Sequence, residues 1–191
     1  MSDLADAYLA GGARFIQVRS KHAASAALLD LCADVVERAH KGGAIVIVND
    51  RADIAALSSA DGVHVGQDDL DPASARKILG GSAIVGISTH SPEQARAASV
   101  MAVDYIAVGP VFGTSTKDTG YRDVGTALVT EVVDMLRRAD SAKPVVAIGG
   151  ITLGRAREVI DAGAASVAVI SDLLSTGSPE ARVKEYLRAL S

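Results

Sequence analysis

Seven short apolar runs rich in β-branched residues alternate with longer amphipathic segments along this chain of 191 residues. The runs predict β-strands at residues 15–18, 44–48, 62–65, 84–87, 105–108, 145–148 and 166–170. Several runs are apolar at consecutive positions, which is typical of strands that helices cover on both faces of a parallel sheet. The sequence therefore predicts an α/β protein.

Amphipathic helices are predicted between the strands. In residues 24–40, apolar side chains recur three and four apart, and the lone cysteine, Cys32, lies on this stripe. Cys32 is therefore predicted to be a buried structural thiol. Asp71-Pro72 and Ser91-Pro92 each place a capping residue before a proline at the first helical position, and Gln94 adds a capping-box glutamine. No linker divides the chain, so we expect one domain spanning residues 1–191.

Charge and composition narrow the function classes. A net charge of −4 argues against nucleic acid and anionic membranes as partners. No apolar run approaches the roughly 18 residues that cross a bilayer. The first residues lack the basic start and apolar run of a secretory signal, and a single cysteine suggests a reducing compartment. We expect a soluble cytoplasmic protein whose ligands are small molecules, bound at a local basic site if they are anionic.

Polar or glycine residues follow every predicted strand. A barrel gathers all its strand ends in one ring, whereas an open sheet concentrates its site at one switch point, so the pattern favours a TIM (β/α)8 barrel. A complete barrel has eight strands, and phosphate-type signals follow the last two found here. The strand that is lacking is therefore the first β-strand, and residues 2–10 read as the helix after it. For this absence we expect a truncated or misassigned start, with pairing to a partner or a marginally stable protein as the alternatives.

Two groups of charged residues follow the early strands. Arg19 and Lys21, two positions apart, form either a diphosphate clamp or a solvated loop. Asn49 and Asp50 could bind a base edge and a hard cation, or could equally be turn and cap residues. If the barrel closes, Asp69 could face Asp50 across its mouth and complete a Mg²⁺ site with substrate phosphate.

Three later segments carry anion-binding signals. The glycine-flanked segment 109–117 contains Thr114, Ser115, Thr116 and Lys117 and suits a loop that closes over an anion, although a generic flexible loop has the same composition. Gly149-Gly150 and Ile170-Ser171 end the last two strands, where backbone N–H groups and helix N-termini favour phosphate.

His64 lies within a strand and is predicted to be a hydrogen-bonded core residue, whereas His22 and His40 are predicted to lie on the surface.

The combination resembles the thiamine phosphate synthase family. The matching segments run in the family's order from about residue 11 onward: residues 17–21, 48–50, 62–69, 86–90, 109–117 and 147–151. Each segment is weak singly, but the ordered set is specific. Ser20 is one departure, because the family commonly has an acidic residue between the two basic ones, and we expect its effect to be small.

The resemblance implies a Mg²⁺-dependent transferase that joins an aminopyrimidine diphosphate to a thiazole phosphate and releases diphosphate. In this family diphosphate departs first, leaving a pyrimidine carbocation that the thiazole nitrogen attacks. The residues implied to bind the pyrimidine diphosphate are Gln17, Val18, Arg19, Ser20, Lys21, Asn49, Ser88 and Lys117. Those implied to hold the thiazole phosphate are Thr114, Ser115, Thr116, Gly150, Ile170 and Ser171. Asp50 and Asp69 would bind the metal, and Arg19, Lys21, Lys117 and Ser88 would take part in catalysis.

Two alternatives stay open beside this interpretation. A thiazole tautomerase of the same superfamily would share the fold but generally lacks the full diphosphate site. A non-catalytic phosphate-ligand-binding protein would bind without turnover. The sequence leaves the oligomeric state undecided, and a homo-oligomer is compatible with it.

Overall fold

The structure is a computed structural model that describes residues 2–113 and 122–191. Within these ranges the strands are Phe15–Val18 (β1), Ile45–Asn49 (β2), Gly62–Val65 (β3), Ile84–Thr89 (β4), Tyr105–Val108 (β5), Val145–Ile148 (β6) and Ser166–Ala168 (β7). The helices are Ser2–Gly11 (α1), Ser25–Lys41 (α2), Ala52–Leu57 (α3), Pro72–Leu79 (α4), Pro92–Ser99 (α5), Gly125–Arg138 (α6), Leu153–Asp161 (α7) and Pro179–Leu190 (α8). A 3₁₀-helix, Ser171–Leu174, precedes α8.

The predicted strands are confirmed, with corrected ends for three of them. β2 begins and ends one residue later than predicted. β4 continues to Thr89 because Ser88 and Thr89 pair with Ala107 and Val108 of β5, so these polar residues lie in the strand and not after it. β7 ends at Ala168, and Ile170 already lies outside the sheet.

All seven described strands form one parallel sheet in chain order, from β1 to β7. This sheet is strongly curled. The Phe15 ring of β1 meets the Tyr105 ring of β5 edge-on, with centroids 5.9 Å apart. In a flat sheet, strands four places apart would be separated by about 19 Å. The two rings can touch only because the sheet bends into a partial cylinder.

The helical layer surrounds this cylinder. α1 packs against α8, so the first and last helices of the described residues meet. The sheet itself ends at β1 and β7 within the described residues, and Phe15 on the inner face of β1 is 49% exposed. None of the helices in the described ranges has the length and apolar character needed to cross a bilayer.

Local signals predicted from the sequence are present in the structure. The Asp71 carboxylate accepts hydrogen bonds from the backbone N–H groups of Ala73 and Ser74. Ser91 caps α5, and the Gln94 side chain accepts from the N–H of His90. These caps fix where two helices begin.

The cysteine prediction is also confirmed. Cys32 is fully buried in the core between the helices and the sheet. Burial raises the pKa of its thiol to about 11. A thiol with this pKa is almost entirely protonated near neutral pH, so it is a poor nucleophile.

Gly86→Ala is expected to destabilise the protein by about 3 kcal/mol, because overpacking a buried site forces its neighbours to move. A Cβ atom at Gly86 of β4 would overlap the Tyr105 ring, which lies across the strand. Thermal unfolding of both proteins measures the effect. Gly81→Ala is the matched control, since nothing lies within 4 Å of its added Cβ. Equal melting temperatures for the two variants would contradict this packing arrangement.

Candidate functional site

Two acidic side chains meet at the carboxyl ends of the strands. Asp50 follows β2 directly and has the left-handed backbone conformation, with φ of 64°. Its carboxyl group is within hydrogen-bonding reach of the Asp69 carboxyl group. Asp69 is held in turn by the backbone N–H of Gly66, which donates to its Oδ2 over 2.8 Å. The predicted convergence of these two acids is therefore present.

Two basic side chains act on the Asp50 carboxyl group. The pKa of Asp50 is raised by burial and by the hydrogen bond and negative charge of Asp69, and the positive charges of Lys21 and Arg19 oppose this rise. Arg19 and Lys21 follow β1, the strand next to β2. Of the five charged residues predicted to form the diphosphate site, Asp69, Arg19 and Lys21 thus act on a fourth, Asp50. The fifth, Lys117, lies outside the described residues.

A hydrogen-bonded network crosses the interior of the curled sheet beneath these charges. Gln17 is hydrogen-bonded to the Tyr105 hydroxyl and lowers its pKa, while burial raises that pKa more strongly. His64 Nδ1 lies 2.8 Å from the Tyr105 hydroxyl, and His64 Nε2 lies 2.8 Å from Ser88 Oγ. The prediction that His64 is a hydrogen-bonded core residue is confirmed.

His64 bridges two hydroxyl groups inside the curled sheet. With its proton on Nε2 it accepts from the Tyr105 hydroxyl and donates to Ser88, and with its proton on Nδ1 the two roles are exchanged. Either way both ring nitrogens have partners, and Ser88 and His64 are buried. The network therefore joins β3, β4 and β5 through side chains on one face of the sheet.

Tyr105 and its link to Gln17 and His64 were not predicted from the sequence. Tyr105 begins an apolar strand, and nothing in the local pattern separates an inward tyrosine with a partner from an ordinary core aromatic. Gly86 held a signal, since a glycine within a buried strand often marks a close approach by another group. The approaching group is the Tyr105 ring.

The predicted phosphate segment after β6 packs against the segment after β5. The N–H of Val111 donates to Ile148 O over 2.8 Å, and that of Phe112 donates to Gly149 O over 3.1 Å. Gly150 has φ of 65°, and a Cβ there would come within 2.6 Å of the Gly113 carbonyl oxygen. Only glycine fits at this position, because it combines a positive φ with a close backbone contact.

The remaining predicted site residues differ in burial and in position relative to the strands. The Val18 side chain is buried in the helix-facing core, so only its backbone can face a ligand. Asn49 pairs in register with His64, Ile170 is exposed, and Ser171 begins the 3₁₀-helix. His22 and His40 are exposed, as predicted, and Asp68 is exposed next to Asp69. Thr114, Ser115, Thr116 and Lys117 lie outside the described residues. Among the residues that are described, no three His, Cys, Asp or Glu side chains converge as a metal cluster.

Comparison with known proteins agrees with this geometry. The chain matches the family model described as thiamine monophosphate synthase over residues 1–173. It is 43% identical to a thiamine-phosphate synthase of Koribacter versatilis, covering 100% of this chain and 86% of that protein. It is 41% identical to a thiamine-phosphate synthase of Lawsonia intracellularis, over 95% of this chain and 82% of that protein.

A solved structure shows the same likeness in three dimensions. Thiamine phosphate pyrophosphorylase from Pyrococcus furiosus superimposes with a TM-score of 0.88 at 30% sequence identity, over 100% of this chain and 91% of that chain. The resemblance found from the sequence motifs is thereby confirmed. This chain belongs to the thiamine monophosphate synthase family of transferases.

Proposed function

We propose that the protein joins an aminopyrimidine diphosphate to a thiazole phosphate with release of diphosphate, in a Mg²⁺-dependent reaction. The observation that supports this most directly is the grouping of Asp50, Asp69, Arg19 and Lys21 at one mouth of the curled sheet. Two acids beside two bases suit a ligand that contains both a metal ion and a phosphate group.

The donor set at this mouth fits Mg²⁺. Two carboxyl groups within hydrogen-bonding reach of one another repel when both are ionised, and this repulsion contributes to the raised pKa of Asp50. A hard divalent cation between them would relieve it, with phosphate oxygens as the remaining ligands. When bound, Mg²⁺ would stabilise the negative charge that develops on the diphosphate as the carbon–oxygen bond breaks.

Basic side chains of the protein would also stabilise the negative charge on the departing diphosphate. Arg19 and Lys21 would bind diphosphate oxygens, with Lys117 as a third proposed contact, and all three would be most effective as the leaving group gains charge. The bond that breaks joins the pyrimidine methylene carbon to diphosphate oxygen. The bond that forms joins the same carbon to the thiazole nitrogen.

The remaining site residues would orient the two rings. The Ser88 hydroxyl, Asn49 and the Gln17 amide would hold the aminopyrimidine, supported by His64 and Tyr105 from below. Gly150, Ile170 and Ser171, with Thr114 and Thr116, would hold the thiazole phosphate. Val18, Ser20 and Ser115 would contribute mainly through their backbones. Holding the two reactants in fixed orientation lowers the entropic part of the barrier.

The proposal also includes the fold class. The curled seven-stranded sheet corresponds to a TIM (β/α)8 barrel that lacks its first β-strand, because α1 precedes β1 and packs on α8 as the helix of such a unit would. We propose a single domain over residues 1–191, working in the cytoplasm on small-molecule substrates. Self-association into a homo-oligomer is compatible with it.

The decisive experiment supplies purified protein with Mg²⁺ and both substrates and follows product and released diphosphate. We expect both to form in equal amounts and to vanish when EDTA removes the metal. A tautomerase would convert the thiazole phosphate without consuming the pyrimidine diphosphate, and a binding protein would retain ligand without turnover. Either result from well-folded protein would refute the proposed reaction.

A further inference from the structure

A largely buried ion pair, Asp172 with Arg182, follows the segment that carries Ser171, and neither residue belongs to the proposed site. Asp172 lies in the 3₁₀-helix one residue after Ser171, and its side chain is 11% exposed. Its Oδ2 accepts from Arg182 Nε over 3.1 Å, from Arg182 Nη2 over 2.9 Å and from the Tyr186 hydroxyl over 2.6 Å. The backbone N–H of Leu153 donates to the same oxygen over 3.1 Å.

These contacts connect three segments of the fold, the start of α7, the 3₁₀-helix and α8. Leu153 begins α7, three residues after Gly150, whereas Asp172 follows Ile170 and Ser171. Arg182 and Tyr186 are one turn apart on α8, and the Tyr186 hydroxyl also lies 3.4 Å from Ile151 O. The cluster therefore joins the segment after β6 and the segment after β7 to one rigid helix.

The hydrogen bonds to the Asp172 carboxylate are strong enough to offset its burial. Burial alone would raise the pKa of Asp172, but the hydrogen bonds from Tyr186, Leu153 and Arg182 outweigh it and the pKa is lowered. Asp172 is therefore ionised near neutral pH, and Arg182, itself 17% exposed, balances its charge. Charge-assisted hydrogen bonds that are shielded from water are among the stronger polar contacts in proteins.

From this geometry we propose that Asp172 is a positioning residue: with Arg182 and Tyr186 it sets the spacing between the Gly150 and Ser171 segments, and so sets the affinity for the thiazole phosphate. The proposal rests on the proposed function. A phosphate held by backbone N–H groups from two segments needs both at the correct separation, and small displacements in such sites are costly. The Asp172 carboxylate is bound to Arg182 and Tyr186, and the proposal gives it no direct contact with the reacting groups.

The test compares the two Michaelis constants of Asp172→Asn. We expect KM for the thiazole phosphate to rise about tenfold, as for loss of a buried charged hydrogen-bond acceptor, and KM for the pyrimidine diphosphate to change less than about twofold. Asp161→Asn is the matched control, because Asp161 forms an exposed ion pair with Arg157 on α7. It should leave both constants unchanged.

A second variant keeps the test decisive if Asp172→Asn unfolds. Tyr186→Phe preserves the packing of the ring and removes only the hydroxyl, and we expect it to raise the same KM about threefold. A merely structural cluster would lower the melting temperature while moving both constants equally or neither, and that result would overturn the proposal. Absence of transfer by the wild-type protein would instead refute the proposed function.

Discussion

Replacing Asp50 with asparagine is expected to lower the transfer rate at least about tenfold without destabilising the metal-free protein. The loss of rate follows because one of two carboxylates proposed to hold Mg²⁺ becomes a neutral amide, and charge stabilisation of a leaving group contributes more than about 1.4 kcal/mol in such sites. Steady-state turnover at saturating substrates measures this half of the prediction.

The stability half follows from the sign of the Asp50 pKa shift. Burial and the neighbouring Asp69 raise this pKa in the folded protein, so the ionised carboxylate is less favourable there than in the unfolded chain. The wild-type fold therefore loses stability as the pH rises through the unfolded-state pKa toward the raised one. An asparagine avoids this loss and tolerates the positive φ of Asp50. We expect an equal or higher melting temperature at neutral pH in EDTA.

Asp68→Asn provides the matched control for both halves. Asp68 is exposed on the loop that carries Asp69, so its replacement should change neither turnover nor melting temperature. An Asp50→Asn protein with wild-type turnover would remove Asp50 from the metal site. A metal-free variant less stable than wild type would contradict the stability expected from the raised pKa of Asp50.

Replacing Arg19 with glutamine is expected to lower kcat/KM for the pyrimidine diphosphate about a hundredfold, because charged contacts to a departing anion strengthen in the transition state. Glutamine keeps much of the length of the side chain but neither the charge nor the paired N–H groups that match phosphate. One of the two positive charges that oppose the raised pKa of Asp50 would also be lost, so this pKa should rise further.

The control for this prediction lies at the other end of the same strand. Arg14 is exposed before β1 and donates only to the neighbouring Ala13 carbonyl among its hydrogen bonds in the described residues. Arg14→Gln removes the same charge from the protein at a distance from the site and should leave kcat/KM within about twofold. If the two arginine variants behaved alike, the effect would come from net charge and not from a diphosphate clamp.

Much of the fold could be predicted because its signals are local. Continuous apolar runs gave the parallel strands, and capping residues at Asp71 and Ser91 gave the helix starts. The ends of β4 and β7 were missed because pairing with a neighbouring strand decides them. Ser88 and Thr89 are polar, yet they stay in β4 because β5 offers hydrogen-bonding partners.

The candidate site likewise contains residues that could be predicted from the sequence and residues that could not. Asp50, Asp69, Arg19 and Lys21 were predictable because parallel strands deliver their carboxyl ends to one edge, whatever the details of packing. Tyr105 and the cluster around Asp172 were not predictable. Both depend on side chains from different elements, which meet only once the sheet has curled and α8 has packed.

Locating a metal ion in crystals soaked with Mn²⁺ and diphosphate tests the central arrangement most directly, because anomalous scattering identifies Mn²⁺ without prior assumptions about the site. We predict one strong peak between the carboxyl groups of Asp50 and Asp69, with diphosphate oxygens on Arg19 and Lys21. A metal–diphosphate complex bound elsewhere, with Asp50 and Asp69 still hydrogen-bonded to each other, would contradict it.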